Sequence, residues 1–387
     1  MGRTPLAVVA LGLLVAVMTP VDTQAQVFRS AIHDYRVVTV ADGLVTPWSM
    51  AFLPNGDMLI TERPGRLRIV REGLLMPNAV QGVPEVYAEG QGGLLDVQPH
   101  PDFENNNLLY ITYSKEYTDG TRGARTALIR GTFENDRLTD VEELFTAKAV
   151  GNGHYGSRIV FHDGYVFITA GDRQAPSTGD LYAHPAQDLS NHHGVVIRLH
   201  DDGRVPADNP FVGTEGALPE IWSYGHRNSQ GLALNPITGD LWSTEHGPQG
   251  GDELNLILPG RNYGWPVVGY GVNYGSGSTI HEGTMKDDME GPKDFWIPSI
   301  ATSGLMFYTG DKFPGWRGSI FAGGMAGQVI ARLTMDGDRV TNEEMLMQRM
   351  GRIRDVRQGP DGYIYVAIED RRGAPTAVVR LEPAGAR

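Results

Sequence analysis

A short unit recurs six times along the chain and constrains its fold more than any other feature. Each copy is a turn rich in Asp, Asn and Gly, followed by a short alternating apolar run and usually by a second one. The turns begin at Pro54, Asn105, His162, Pro236, Arg317 and Pro360. Such units are typical of β-hairpins, and because an isolated hairpin is marginally stable, six copies indicate units that stack. We therefore predict an all-β chain, a six-bladed β-propeller of four-stranded antiparallel sheets.

The apolar runs define the predicted strands. They comprise residues 58–61 and 67–70, 108–112 and 127–130, 165–168 and 195–199, 241–243, 319–322 and 329–333, and 363–366 and 377–381. A further alternating segment, 35–40, is predicted to close the ring by joining the last blade. The spacing of the units is irregular and wide for a simple propeller array, which indicates insertions on one face. No long segment has helical periodicity, so residues 26–387 are predicted to form one propeller domain.

The N-terminal residues 1–25 have the pattern of an export signal. Arg3 provides a positive charge, residues 6–17 are apolar, and Thr23, Gln24 and Ala25 resemble a cleavage site with small residues. The apolar run is shorter than the ~20 residues that cross a bilayer, and no later segment approaches that length. We therefore predict a signal peptide, a mature chain beginning near Gln26 with no membrane span, and a periplasmic or secreted location.

Charge and cysteine content exclude several functions. The net charge is −13 and Lys and Arg are not clustered, which argues against binding of nucleic acid or of an anionic membrane. The chain has no cysteine, so disulfides cannot stabilise it, and packing or a bound metal must do so. No Gly-rich nucleotide loop in a strand–helix context and no serine elbow occurs, and the histidine pairs lack the spacing of zinc proteases.

Five polar segments lie before or between the predicted strand pairs. They are residues 90–96, 153–158, 224–231, 245–266 and 352–355. In a propeller such loops converge on the mouth of the central channel, where ligands bind. They carry histidine, arginine and carboxylate side chains, a combination that suits a site for an anion and a metal.

Within these segments four motifs resemble the glucose/sorbosone dehydrogenase family, the soluble quinoprotein aldose dehydrogenases. They are His-x-Gly-Ser-Arg at 154–158, Tyr-Gly-His-Arg-Asn-x-Gln-Gly at 224–231, Glu-His-Gly-Pro at 245–248 and Asn-Tyr-Gly-Trp-Pro at 262–266. The resemblance runs from about Gly43 to the C-terminus. It implies oxidation of an aldose at its anomeric carbon to a lactone, with pyrroloquinoline quinone (PQQ) and calcium as cofactors. A hydride would pass to the quinone, and the reduced quinone would then give its electrons to an external acceptor. The resemblance implies no particular sugar, acceptor or oligomeric state.

The resemblance assigns a catalytic pair. His154 resembles the general base of the family, and a neutral imidazole suits removal of a hydroxyl proton near pH 7. Asp172 matches the carboxylate that orients this base. Without the motif, His154 would be interpreted as a structural loop residue, and Asp172 would be interpreted as a turn residue at the end of a strand. Gly153 stands where glucose-oxidising members have an Asp, which weakens any prediction of glucose preference.

The resemblance also assigns contacts to the cofactor. They are Gln91, Arg227, Asn228, Tyr274, Arg352 and Arg354. Arginine suits cofactor binding because its planar guanidinium group donates hydrogen bonds to carboxylate and carbonyl oxygens. Alternation places Arg352 and Arg354 on one face of an extended segment. Some glucose-oxidising members have a Lys after the fifth-blade strand, where this chain has Ala326.

Two calcium sites are implied in the same way. Gly247 and Pro248 match positions whose backbone carbonyls bind a catalytic ion, and oxygen ligands suit calcium. Glu253 and Tyr263 match a second, structural site, where Tyr263 contributes its backbone oxygen. Without a metal these residues form plain turns.

Two other functions fit the sequence as well. A calcium-dependent propeller hydrolase, such as a lactonase, shares the architecture, the metal and a loop histidine. A non-catalytic propeller that binds a protein or a glycan would not need His154 or the arginines.

Overall fold

The computed structural model describes residues 26–120 and 122–385, which are mostly β-strands and turns. The predicted signal peptide lies outside these residues. No helix within the described ranges has the length and apolar character required to cross a membrane. The strands form six antiparallel sheets, as the repeats predict.

The described chain opens with two strands that belong to the last sheet, and five complete blades follow. The opening strands are β1 (Val27–Phe28) and β2 (Tyr35–Val45). Blade 1 comprises β3 (Pro47–Phe52), β4 (Met58–Glu62), β5 (Arg66–Arg71) and β6 (Leu74–Leu75). Blade 2 comprises β7 (Leu94–Pro99), β8 (Leu108–Glu116), β9 (Ala124–Glu134) and β10 (Arg137–Thr146), with α1 (Phe103–Asn106) before β8. Blade 3 comprises β11 (Ile159–His162), β12 (Tyr165–Ala170), β13 (Val195–His200) and β14 (Ile221–Ser223).

Blades 4 and 5 repeat the four-stranded pattern. Blade 4 comprises β15 (Ser229–Leu234), β16 (Leu241–Glu245), β17 (Asp252–Ile257) and β18 (Asp294–Trp296). Blade 5 comprises β19 (Thr302–Phe307), β20 (Ile320–Gly324), β21 (Val329–Asp336) and β22 (Arg339–Leu346). Short 3-10 helices lie in the connecting loops, at Leu181–Ala183, Pro185–Gln187 and Pro314–Trp316.

Blade 6 joins the two ends of the chain. It contains β23 (Arg352–Gln358), β24 (Ile364–Glu369) and β25 (Pro375–Pro383), and β2 pairs with β25, with Val38 opposite Arg380. The prediction that segment 35–40 closes the ring is therefore confirmed. Because backbone hydrogen bonds link the N-terminal strand to the last blade, the ring cannot open without breaking a β-ladder.

The blades surround a central axis. The first strand of each blade contacts the first strand of the next, and β23 contacts β3, which completes the circle. Seven clusters of buried apolar side chains among the described residues join neighbouring blades. Leu59 of blade 1 and Leu109 of blade 2 share one cluster, and Trp242 of blade 4 and Phe307 of blade 5 share another. Each blade is thus stabilised by its two neighbours, as expected of repeats that cannot bury an apolar face alone.

Buried charges cross-link the innermost strands. Arg158, only 1% exposed, lies 3.1 Å from Asp355 and 3.7 Å from Asp96. Arg357 also contacts both carboxylates, at 3.0 Å from Asp355 and 3.3 Å from Asp96. Two arginines therefore balance two aspartates, which makes their burial tolerable. This cluster connects blades 2, 3 and 6 across the channel.

The first strands of the blades all begin at the same end of the channel. Gln91 precedes β7, His154 precedes β11, Asn228 precedes β15, and Arg352 opens β23. The turns between second and third strands lie at that end too, and they carry Asp172 in blade 3. The geometry of the ring therefore collects these separate segments at one mouth.

Candidate active site

His154 and Asp172 form a buried pair at this mouth. The Nδ1 atom of His154 lies 2.6 Å from Oδ1 of Asp172. The backbone N–H of Gln174 donates to the same oxygen at 2.9 Å, and Nε1–H of Trp265 donates to Oδ2 at 2.8 Å. Burial works to raise the pKa of Asp172, but the hydrogen bond and charge of His154 lead the interactions that bring it below its ordinary value. An ionised Asp172 accepts from Nδ1–H, so Nε2 of His154 carries the lone pair.

The pKa of His154 lies below its ordinary value of 6.5. Burial is the largest cause, and Asp172 partly opposes it, whereas the positive charges of Arg227 and Arg173 add to it. The imidazole is only 6% exposed. It is therefore neutral near pH 7 and able to accept a proton.

The backbone around His154 is held in place from both sides. His154 has a φ of 47°, in the left-handed region. Its N–H donates to Oε1 of Gln91 at 2.8 Å, and its carbonyl accepts from the guanidinium of Arg173. A Cβ atom at Gly171 would lie 2.2 Å from that carbonyl, so only glycine fits there. The imidazole is thus fixed by several contacts in a conformation that its backbone alone disfavours.

A cavity of about 550 Å³ at the channel mouth is rich in arginine. Arg352 and Arg354 lie on the same side of β23, and both contact Glu369, at 2.9 and 2.8 Å. Burial tends to raise the pKa of Glu369, but the charges and hydrogen bonds of these arginines lower it to about 2. Other lining residues include Trp48, Gln91, Tyr155, Asn228, Gln230 and His246. The cavity thus offers guanidinium and amide donors beside aromatic rings.

A second cavity, of about 330 Å³, contains the His–Asp pair. It is lined by His154, Asp172, Arg227, Pro248, Trp265 and Tyr274, among others. Tyr274 lines both cavities and is 67% exposed, so it lies at their shared rim. A ligand in the arginine-lined cavity would therefore be adjacent to the His–Asp pair.

Arg227 connects the pair to the loop after β16. Its Nη1 donates to the carbonyl of Gly247 at 2.7 Å and to that of His246 at 3.1 Å. Its guanidinium lies over the ring of Trp265, 5.1 Å from the centroid. Gly247, Pro248 and the His154–Asp172 pair are thus parts of one continuous site.

Behind this loop, two carboxylates approach each other. Asn255 donates to Oε1 of Glu245 at 2.9 Å and to Oε2 of Glu253 at 3.2 Å. Burial, followed by repulsion from Glu245, raises the pKa of Glu253 well above its ordinary value. A cavity of about 20 Å³ adjoins them and is also lined by Gly247 and Tyr263. Within the described ranges no three His, Cys, Asp or Glu side chains converge as metal ligands, so a cation here would also need backbone oxygens.

All residues assigned from the sequence line these three adjoining cavities. The motifs did not single out Trp265, which holds Asp172, Gln230, which lies in the arginine-lined cavity, or Arg173. The first two belong to quoted motifs, and Arg173 directly follows Asp172. For Trp265 and Gln230 motif membership was the available signal, whereas the contacts of all three residues depend on the fold.

Fold and site together define a β-propeller with a His–Asp pair and an arginine-lined cavity at one channel mouth. The model of the glucose/sorbosone dehydrogenase family matches residues 44–380. Aldose sugar dehydrogenase YliI of Escherichia coli is 42% identical over 344 residues, covering 87% of this chain and 91% of that protein. The chain therefore belongs to the glucose/sorbosone dehydrogenase family of oxidoreductases, and the resemblance inferred from the motifs is confirmed.

Solved structures show the same fold. The apo-form of the soluble aldose sugar dehydrogenase of Escherichia coli matches with a TM-score of 0.83 and 40% identity, covering 90% of this chain and 99% of that chain. The PQQ-bound form of the aldose sugar dehydrogenase of Streptomyces coelicolor matches with a TM-score of 0.72 and 27% identity, covering 90% and 98%.

Proposed function

We propose that this protein oxidises aldose sugars at the anomeric carbon to lactones, with PQQ and calcium as cofactors and an external electron acceptor. The observation that carries the proposal is the neutral, oriented His154 beside a cavity rich in arginine. The family membership and the PQQ-bound relative support it. We further propose that residues 1–25 are removed on export and that the mature protein is periplasmic or secreted.

The arginine-lined cavity fits the proposed quinone. PQQ is a flat tricarboxylate, and Arg352 and Arg354 would bind its anionic oxygens in the forked geometry that guanidinium groups favour. Asn228 and Gln91 would donate through their amides, and the exposed ring of Tyr274 would cover the group from the rim. When bound, the quinone supplies the two-electron acceptor that the chain itself lacks.

His154 would perform the proton chemistry. Its Nε2 lone pair would take the proton of the anomeric hydroxyl, while Asp172 stabilises the resulting imidazolium and keeps the ring in the correct tautomer. Trp265 keeps Asp172 oriented through the second carboxylate oxygen. The low exposure of His154 limits exchange of this proton with solvent.

The loop after β16 fits the proposed calcium ions. The carbonyl of Gly247 adjoins the catalytic pair, and a carbonyl oxygen retains a second lone pair when Arg227 donates to it. We propose that Gly247 and Pro248 bind one ion through their backbone oxygens. The close carboxylates of Glu245 and Glu253 favour a second cation, with the backbone oxygen of Tyr263.

Reconstitution tests the proposal directly. The purified protein is incubated with PQQ and calcium, and binding is followed by the absorbance of the quinone. A dye-linked assay over a panel of aldoses should then show turnover that needs the quinone. Lactone hydrolysis without the quinone would favour the hydrolase instead, and the absence of quinone binding and of turnover on all substrates would favour a binding propeller.

Calcium should raise thermal stability, and chelation should lower it and abolish activity. A ligand that binds only the folded state stabilises it by ~2.7 kcal/mol at a hundredfold excess over its dissociation constant. Because the pKa of Glu253 is raised, its charge destabilises the metal-free fold, so Glu253→Gln should melt higher than wild type in chelator. The same variant should gain less from calcium.

Differential scanning calorimetry with and without calcium provides the measurement. Glu215→Gln is the matched control, because Glu215 is exposed and outside the three cavities. A melting temperature that calcium and chelator leave unchanged in the wild type would contradict both metal sites.

A further inference from the structure

Two of the four arginines that line the arginine-rich cavity, Arg63 and Arg371, were not assigned from the sequence, and Arg63 is the less exposed of the two. Arg63 occupies the turn between β4 and β5 in blade 1 and lines the cavity with Arg352 and Arg354. Its backbone is fixed, because its N–H donates to Thr46 at 3.1 Å and its carbonyl accepts from Leu94 at 3.1 Å. The turn is thus held against the neighbouring blade.

The side chain of Arg63 is held by neutral acceptors. Its Nε donates to the carbonyl of Gly92 at 3.2 Å, and its Nη2 donates to that of Gly90 at 2.8 Å. No carboxylate among the described residues forms an ion pair with Arg63. Its charge is therefore positioned beside Gln91 without being neutralised.

The charges lining the cavity do not balance. Four arginines, Arg63, Arg352, Arg354 and Arg371, line it with only Glu369 and Asp370 as carboxylates. Glu369 is already shared by Arg352 and Arg354. Burial lowers the pKa of Arg63, the charges of Arg354 and Arg352 add to this effect, and the charge of Glu369 partly opposes it. Such an excess of positive charge around a cavity favours an anionic ligand.

We propose that Arg63 is an additional anion-binding residue that contacts a carboxylate of the quinone from the blade 1 side. The proposal rests on the proposed function and extends it by one binding residue. Blade 5 and its preceding loop contribute Ala301 and Met325 to the cavity, and Ala326 beside them is uncharged. Arg63 thus provides a cation on a different wall from the arginines of blade 6.

Equilibrium titration with PQQ in the presence of calcium tests this assignment without any activity measurement. Arg63→Gln should weaken binding by about 10- to 100-fold, as expected for loss of a hydrogen bond to a charged group. Arg63→Lys should recover part of the affinity, because it restores the charge. The loss in Arg63→Gln should shrink at high salt.

Arg66→Gln is the matched control. Arg66 lies next to the same turn, pairs with Glu62 at 2.6 Å and does not line the cavity, so its replacement should leave PQQ affinity near that of wild type. If wild type binds PQQ and Arg63→Gln binds equally well, the role of Arg63 is overturned while the proposed function stands. Equal weakening in Arg63→Lys and Arg63→Gln at every salt concentration would also overturn it, since the effect would then be structural. If wild type does not bind PQQ, the proposed function fails, and the role of Arg63 with it.

Discussion

Replacement of His154 by alanine is expected to lower aldose turnover by at least ~10²- to 10⁴-fold, the usual contribution of a general base. Quinone binding should remain largely intact, because the cofactor would be held by arginines and metal. The variant removes the Nε2 lone pair, and Asp172 contacts the other nitrogen of the ring, Nδ1. Steady-state turnover and PQQ titration of the same preparation measure the two effects separately.

His162→Ala is the control for this variant. His162 ends β11 in the same blade and lies outside the three cavities, so its loss should leave turnover near that of wild type. Near-normal aldose oxidation by His154→Ala would show that His154 is a structural loop residue. The proposed mechanism would then be wrong.

The same base predicts a pH dependence. Since the pKa of His154 lies below its ordinary value of 6.5, turnover should fall only as pH drops below that value, where the imidazole becomes protonated. Asp172 raises the pKa of His154, so Asp172→Asn should move this acid limb to lower pH as well as reduce the rate. A limb that stays in place in Asp172→Asn would argue against His154 as the titrating base.

Replacement of Arg227 by alanine should act on the cofactor instead. We expect PQQ binding to weaken on the order of 10²-fold or more, as when one partner of a buried charged hydrogen bond is removed. The loss should be larger than that of Arg63→Gln, because Arg227 also holds the carbonyls of His246 and Gly247. PQQ titrations of Arg227→Ala and His154→Ala, compared with each other, distinguish a cofactor-binding residue from a catalytic one.

Arg261→Ala is a suitable control for the loss of an arginine. Arg261 pairs with Glu290 at 2.5 Å, its side chain is 60% exposed, and it lies outside the three cavities. Unchanged PQQ affinity in Arg227→Ala would remove Arg227 from the cofactor site. A different result would favour the non-catalytic binding propeller: wild type shows no quinone-dependent turnover, and neither His154→Ala nor Arg227→Ala changes quinone binding or activity.

The strands that the sequence predicted are mainly the second and third strands of each blade. Residues 58–61 and 67–70 lie in β4 and β5, and residues 165–168 lie in β12. These strands pack between two neighbouring blades, so their apolar residues recur regularly. The first strands were missed because they face the channel and carry polar groups such as Asp96 and Asp355. The fourth strands of some blades, such as β6, are too short to show a pattern.

The sequence by itself determined the repeat, the fold class and the family, because each depends on residues that are close together in the chain. Contiguous motifs named His154 and Arg227, and the same family resemblance named Asp172, Arg352 and Arg354. Only the tertiary structure decided which of these groups meet. Asp172 receives its second hydrogen bond from Trp265, 93 positions away, and Arg63 shares a cavity with Arg354 from another blade. Such contacts arise when the ring closes and brings the blade ends to one mouth, a geometry that no local pattern encodes.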